Sequence, residues 1–346
     1  MKLSDYDYTL PKELIAHAPA EPRDSARLFV YSTKTNEIVI DTFVNLARYI
    51  PVNSVLVLND TQVVPARIEL SKITGGTVRI LFLFNEWDKK GPIKGLPDRK
   101  LSVGDILFIN HSPCLEIVAQ NDQEFTFKLV VSPVEFEKIR DTYGHTPLPP
   151  YIDSKLDESE AREKYQTIFA TQPASVAAPT ASLHFTERVV QSLITKNVER
   201  VSVTLHVGRG TFSPMDDAII KSGELHSEPI VISDKTSRAI SIAKKEGRTI
   251  ISSGTTATRA IESAADLILA GKGYDGETPL MISPPYDFKI VDAMITNFHL
   301  PRTSLLMLLD AFLQYKGAKK SWRTLYEQAI KDKFRFYSFG DAMLII

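Results

Sequence analysis

Of 346 residues only Cys114 is a cysteine, which excludes an internal disulfide and any cysteine-cluster metal site and fits a reduced, intracellular setting. Neither sign of charge prevails. The 41 Lys and Arg stand against 42 Asp and Glu, a formal net charge of −1, so a bound polyanion has to be held by a local basic patch. No apolar run approaches the roughly 20 residues that a bilayer span requires. Acids and prolines interrupt the amino-terminal "MKLSDYDYTLPKELIAHAPAEPRDSARLFVY" where a signal peptide needs a continuous apolar segment, so the expected location is the cytoplasm. The histidines show neither H-x-x-x-H nor H-E-x-x-H spacing, and no metal is expected. A Walker loop is absent, and "GRGTFS" lacks the third glycine of a dinucleotide fingerprint.

What is present reads as a globular chain, 43% apolar and 24% charged, of a length that favours two domains. "SVLVLND" (54–60) is a short apolar run ending in polar side chains, as in a buried strand whose carboxyl end opens onto a cleft. From about residue 69 to 131 the texture changes to short alternating runs ("TVRILFLF", "KLSVGDILFI", "LEIVAQ", "EFTFKLVV") divided by Gly, Pro, Asn and Asp, the pattern of small antiparallel sheets or a barrel. "PVEFEKIRDTYG" reads as a helix and "HTPLPPYID" (145–153) as a proline-stiffened connector. Beyond residue 155, helix and strand patterns alternate: "FTERVVQSLITKN" with Thr186 as N-cap, "VERVSVTLHV", "SDKTSRAISIAKKEG", "RTIISSG" and "TTATRAIESAADLILAG". The expected architecture is a layered α/β domain (1–68 and 149–346) carrying an inserted small antiparallel β-barrel domain (69–148).

Candidate chemistry lies where strands end. "APTASLHFTE" (178–187) puts His184 ahead of a helix start, where free backbone N–H groups favour an anion. "TLHVGRGTF" (204–212) ends a strand with His206 and then Gly208 and Gly210, which permit close backbone approach to a ligand; a tight turn after a strand has the same form. In "SSGTTATR" (252–259), Gly254, Thr255 and Thr256 can hold a carboxylate or phosphate with Arg259 as a forked partner, or serve as an ordinary N-cap with a surface arginine. "ELHSEP" (224–229) gathers Glu224, His226, Ser227 and Glu228, suited to acid–base work or to a solvated loop. "MITNFHLPRTSLLML" (294–308) interrupts an apolar stretch with Thr296, Asn297 and His299: the floor of a site, or a buried turn whose side chains satisfy backbone groups. Pro301 turns the chain away, and Thr303 or Ser304 caps a buried helix.

"LNDTQVVPAR" (58–67), "TPLPPYI" (146–152), "YQTIFA" (165–170), "VAAPTASLHFT" (176–186), "VTLHVGRGTF" (203–212), "HSE" (226–228), "SGTTATR" (253–259), "ITNFHLPRTSLLML" (295–308) and "RFYSFGDAMLI" (335–345) occur in this order. The ordered set resembles, from end to end, the S-adenosylmethionine:tRNA ribosyltransferase-isomerase family of queuosine synthesis. The resemblance implies transfer and isomerisation of the ribosyl part of S-adenosylmethionine onto the 7-aminomethyl-7-deazaguanine wobble base of tRNA, giving epoxyqueuosine-tRNA with release of adenine and methionine. S-adenosylmethionine is then a consumed co-substrate, no cofactor is implied, tRNA is the partner, and a monomer is the working expectation. The fold implied is again an α/β domain with an inserted β-barrel.

On that reading the expected catalytic groups are His184, His206, His226, Glu228, Asn297 and His299. The expected substrate-binding groups are Asn59, Asp60, Thr61, Arg67, Thr186, Gly208, Gly210, Thr211, Gly254, Thr255, Thr256 and Arg259. Histidines change charge near neutral pH, and Glu228 and Asp60 can neutralise a sulfonium or accept protons. Three positions depart from the family pattern: Ser182 where glycine is expected, Arg209 where leucine or alanine is usual, and Pro229 in place of an aromatic. They leave open a diverged transferase acting on another base or RNA, or a catalytically silent RNA-binding relative. Lys89, Lys90, Lys94, Arg99 and Lys100, and again Lys319, Lys320 and Arg323, are candidate phosphate contacts or solvated surface.

Overall fold

The computed structural model describes residues 2–149, 151–152, 156–208, 210, 215 and 217–346. A nine-stranded mixed sheet forms the body, in the order Tyr274–Leu280, Glu224–Ile232, Glu199–Leu205, Val55–Asn59, Ile250–Ser253, Ala293–Asn297, Ala342–Ile345, Arg27–Ser32 and Glu37–Thr42. Strands 199–205, 55–59, 250–253 and 293–297 run parallel to one another, so their carboxyl ends emerge on one edge.

Period-two alternation divides the body's core between the two faces of this sheet. Val55 and Val57 pack into a cluster with Ile240, Ala257, Ile261, Leu306 and Phe312, whereas Leu56 and Leu58 join Phe43, Leu46, Phe185, Val189 and Leu193 on the other side. Because helices cover both faces, the central strands are buried along their whole length and read as continuous apolar runs rather than alternating ones.

A second architecture begins with the strand Arg67–Lys72. Six antiparallel strands, Arg67–Lys72, Thr77–Phe82, Ile93–Pro97, Glu124–Leu129, Ser112–Asn121 and Ile106–Ile109, follow one another around a barrel that closes where Ser71 and Lys72 pair with Phe108 and Leu107. Closure removes the free edges. The interior is filled by Ile68, Leu70, Ile80, Phe82, Leu107, Leu115, Ile117 and Phe127, and helix Pro133–Tyr143 adds Phe136. Gly95 is required there, since a Cβ would lie 2.7 Å from Ile80 Cγ2. The chain leaves the barrel beside its point of entry, with His145 paired to Arg67.

Two local expectations change. "ELHSEP" lies within the strand Glu224–Ile232, not in a loop, because Glu228 pairs across to Thr278 and its carboxylate finds buried partners. "TTATRAIESAADLILAG" is two helices, Thr255–Ser263 and Ala265–Leu269. The Ser263 hydroxyl donates to the carbonyls of Arg259 (2.8 Å) and Ala260 (3.0 Å), side-chain bonding that competes with helix continuation. In the connector, Pro150 and residues 153–155 lie outside the described residues.

Candidate active site

Two of the four parallel strands, and the helix that follows a third, are tied together at the strands' carboxyl ends by one fully buried amide. Asn59 Nδ2 donates to the Leu205 carbonyl (3.0 Å) and to Thr256 Oγ1 (3.2 Å), while Oδ1 accepts the backbone N–H groups of Leu205 (3.0 Å) and Thr61 (3.2 Å). Asn59 therefore spends its hydrogen-bonding capacity inside the protein and fixes the edge on which the site stands. Next to it, Asp60 Oδ1 accepts from the Thr204 hydroxyl at 2.6 Å, and burial holds the carboxyl above the usual carboxylate range.

Thr61 Oγ1 lies 2.7 Å from Nδ1 of His206, a half-buried ring at the end of strand Glu199–Leu205. Desolvation lowers the pKa of His206, so the ring is neutral at pH 7. With Nδ1 engaged, Nε2 is the nitrogen left to meet a ligand.

One turn beyond, the Gly208 N–H donates to Glu228 Oε1 (3.0 Å), and the other carboxylate oxygen is bonded to the Arg259 guanidinium. Arg259 also donates from Nε to the Leu280 carbonyl (2.9 Å). Both charged groups are buried and paired, so the arginine expected to meet a substrate anion is already engaged with Glu228. Gly254 adopts φ +91°, a left-handed conformation that favours glycine, and its N–H donates to Ile295 O (2.8 Å), setting Thr255 and Thr256 at the first turn of helix Thr255–Ser263. Gly210 stands against His226, whose Cβ and Cδ2 are each 3.6 Å from where a glycine Cβ would be. Thr211 and Arg209 lie outside the described residues.

The fourth strand end carries a second polar group. Asn297 Nδ2 donates to His184 Nε2 (3.3 Å) and to the Tyr337 carbonyl (3.2 Å). An amide nitrogen only donates, so His184 accepts at Nε2 and carries its proton on Nδ1. Its ring packs on Phe43 with centroids 5.1 Å apart, and burial, with Arg335 and Arg23 adding to it, lowers its pKa to about 3. His299 Nε2 lies 2.9 Å from Thr296 Oγ1, and burial lowers this pKa too to about 3. Tyr326 and Tyr8 hold the His299 backbone, the former accepting its N–H (2.8 Å) and the latter donating to its carbonyl.

Two expected binding residues stand apart from these contacts. The Thr186 hydroxyl donates to Asp24, which also binds Arg188, and makes no N-cap bond. Half-buried Arg67 opens the first barrel strand. Ser182 shares a buried 2.9 Å hydrogen bond with Ser253, and Pro229 accepts the His206 N–H at its carbonyl (3.0 Å).

Sequence reading missed Asn85, on the single turn Phe84–Glu86 of the barrel. Its amide lies against Gly208: a Cβ there would be 2.6 Å from Asn85 Nδ2. "FNEW" carries no spacing that marks it, because the approach comes from another part of the fold.

The model of the queuosine biosynthesis protein family matches residues 3–345. The chain is 43% identical over its whole length to the whole of an S-adenosylmethionine:tRNA ribosyltransferase-isomerase from Carboxydothermus hydrogenoformans. It is also 43% identical to one from Fusobacterium nucleatum, with 99% of this chain and 96% of the relative covered. Among solved structures it resembles an S-adenosylmethionine tRNA ribosyltransferase from Thermotoga maritima, at 31% identity and a TM-score of 0.54, covering 99% of this chain and 100% of the other. With the motifs in order along the chain and the matched residues spanning both the α/β body and the barrel, this chain belongs to the queuosine biosynthesis protein family.

Proposed function

We propose that the chain is an S-adenosylmethionine:tRNA ribosyltransferase-isomerase that moves the ribosyl part of S-adenosylmethionine onto the 7-aminomethyl-7-deazaguanine wobble base of tRNA. The products are epoxyqueuosine-tRNA, adenine and methionine. The observation that carries this reading is full-length identity of 43% to relatives that bear that name. S-adenosylmethionine is consumed and no resident cofactor takes part; the chain works in the cytoplasm as a monomer.

The sulfonium acidifies the 5′ carbon, so a neutral base placed there removes a proton and lets the ribose ring open as the bond to adenine breaks. His206 fits that role: Thr61 orients the ring at 2.7 Å and desolvation keeps it unprotonated near neutral pH. His184 and His299, both uncharged at pH 7, are held at the end of strand Ala293–Asn297 by Asn297 and Thr296 and bring no positive charge near the sulfonium. Asp60, whose carboxyl burial raises above its ordinary pKa, supplies or takes a proton as adenine leaves. The glycine and threonine turn at 254–256 receives the methionine carboxylate on the first-turn N–H groups of its helix. The aminomethyl group attacks in its neutral form and the sulfur departs as methionine.

For tRNA, Lys89 and Lys94 are neutralised within the barrel by Glu137, Glu86 and Glu124. Among the described residues Lys90, Arg99 and Lys100 form no ion pair, and these exposed cations meet phosphates. At the carboxyl-terminal cluster, Arg323 already donates to the carbonyls of Asp5 and Asp7.

The test is incubation of the purified chain with S-adenosylmethionine and tRNA bearing 7-aminomethyl-7-deazaguanine, with adenine and the modified nucleoside followed by mass spectrometry. Adenine together with the epoxyqueuosine mass is the expected result. Folded protein that binds this tRNA and yields neither product refutes the reading.

A further inference from the structure

Among the described residues four buried side-chain polar atoms have no hydrogen-bond partner, and two of them are the amide nitrogen and oxygen of Asn85. The side chain is 8% exposed. A buried carboxamide that satisfies neither donor nor acceptor is costly, and such groups mark places where a partner is missing. From Arg67 to His145 no other polar side chain is buried, so this amide is not part of any polar network inside the barrel.

It is nonetheless rigidly mounted. Phe84 and Trp87, on either side of it, both pack on Phe136 with centroids 5.9 and 5.8 Å away. The Trp87 indole donates to the Gly91 carbonyl (3.0 Å), and neighbouring Glu86 is paired with Lys94 at 3.1 Å. This turn holds the amide against Gly208, whose own N–H is committed to Glu228. The barrel thus delivers one preorganised donor–acceptor pair to Gly208, two residues after His206, and glycine there leaves room for it.

We propose that Asn85 is a specificity residue of the site, its carboxamide pairing with the donor–acceptor edge of a purine-like ring. This inference rests on the proposed ribosyl-transfer reading for the identity of the rings. Two are present in that reaction, the adenine of S-adenosylmethionine, with an exocyclic N–H₂ beside a ring nitrogen, and the deazaguanine of the tRNA, with a ring N–H beside a carbonyl. An asparagine amide matches either edge with two parallel hydrogen bonds.

The experiment measures Asn85→Ala, Asn85→Asp and Asn85→Leu against wild type. S-adenosylhomocysteine, which carries adenine but cannot react, is titrated calorimetrically; tRNA with and without the modified base is titrated by fluorescence anisotropy. Loss of about 5- to 100-fold in affinity for S-adenosylhomocysteine, with tRNA binding unchanged, supports the proposal and assigns adenine as the ring. A similar loss confined to tRNA bearing the modified base supports it and assigns the deazaguanine. Thermal melting separates binding from scaffolding: removing an orphaned amide leaves the ligand-free Asn85→Leu protein as stable as wild type or more so. Unchanged affinity for both ligands in folded variants overturns the proposal, as does a lowered melting temperature in Asn85→Leu with binding intact. These titrations need no turnover, so an effect of Asn85 on ring binding is readable even if the wild-type chain releases no adenine.

Discussion

The carboxyl edge of the parallel strands and the interior of the barrel are both buried, yet they are built from opposite materials. At the strand ends Asn59, Thr61, Glu228, Arg259, Asn297 and His299 are all buried, and bonds such as those of Asn59 to Thr256, Thr61 to His206, Glu228 to Arg259 and Asn297 to His184 join elements far apart in sequence. In the barrel the interior is apolar and aromatic, with ring pairs such as Phe82 and Phe127 at 5.4 Å, and one buried polar side chain, Asn85. The barrel gains stability by removing apolar surface from water, whereas the strand ends hold polar groups whose cost is met only when each finds a partner. A region of the first kind specifies shape; a region of the second kind specifies where protons and charges sit.

That contrast separates activity from stability. His206→Gln should lower the rate of adenine release by about 10²- to 10⁴-fold while leaving the urea unfolding midpoint near wild type; turnover within a few-fold of wild type would remove His206 from the chemistry. Phe127→Ala should do the reverse, costing about 3–5 kcal/mol in unfolding free energy with S-adenosylhomocysteine affinity kept by the folded fraction. Glu228→Ala tests whether the polar region tolerates a missing partner. It leaves the Arg259 charge buried and alone, at a cost of about 3–5 kcal/mol by denaturant titration, and a near-neutral result would mean the pair is solvated. Asn59→Ala orphans the Leu205 and Thr61 backbone groups and is expected to cost about 1–3 kcal/mol.

The remaining effect is a pH slope. His184 and His299 titrate at about 3 in the fold against an ordinary 6.5 when unfolded. As pH falls below 6.5 the unfolded chain binds protons that the folded chain does not, so stability present above that pH is lost progressively. Each histidine adds to that loss until its folded pKa is reached. Asp60, shifted upward, acts with the opposite sign and flattens the curve at its acid end. Unfolding free energies at pH 7.5, 6 and 5 check the sign, and a stability that does not fall over that range would mean that these rings are not held neutral by burial.

Much of the fold could be read along the chain because its two architectures have different hydrophobic periods. "VLVLN" and "AMITN" read as continuous runs since both faces are covered, and the barrel strands read as short alternating ones. The strand-end motifs were visible for a related reason: a buried strand of a parallel sheet ends where its cover stops, so a sudden Asn, His or Gly-Thr there marks the edge. Other features left no local trace. Arg259 meets Glu228 from 31 positions away, and the Asn85 amide reaches a glycine in another part of the chain.

Composition, period and motif order therefore determined by themselves that this is an α/β chain with an inserted antiparallel barrel, and which family it resembles. Those properties follow from local patterning and from the order of segments. Only the tertiary structure decided which expected site residues were already engaged with one another, as Asn59 and Arg259 are, and which buried amide was left without a partner. Hydrogen-bond satisfaction is a property of groups brought together from distant parts of the chain, and a one-dimensional sequence does not display it.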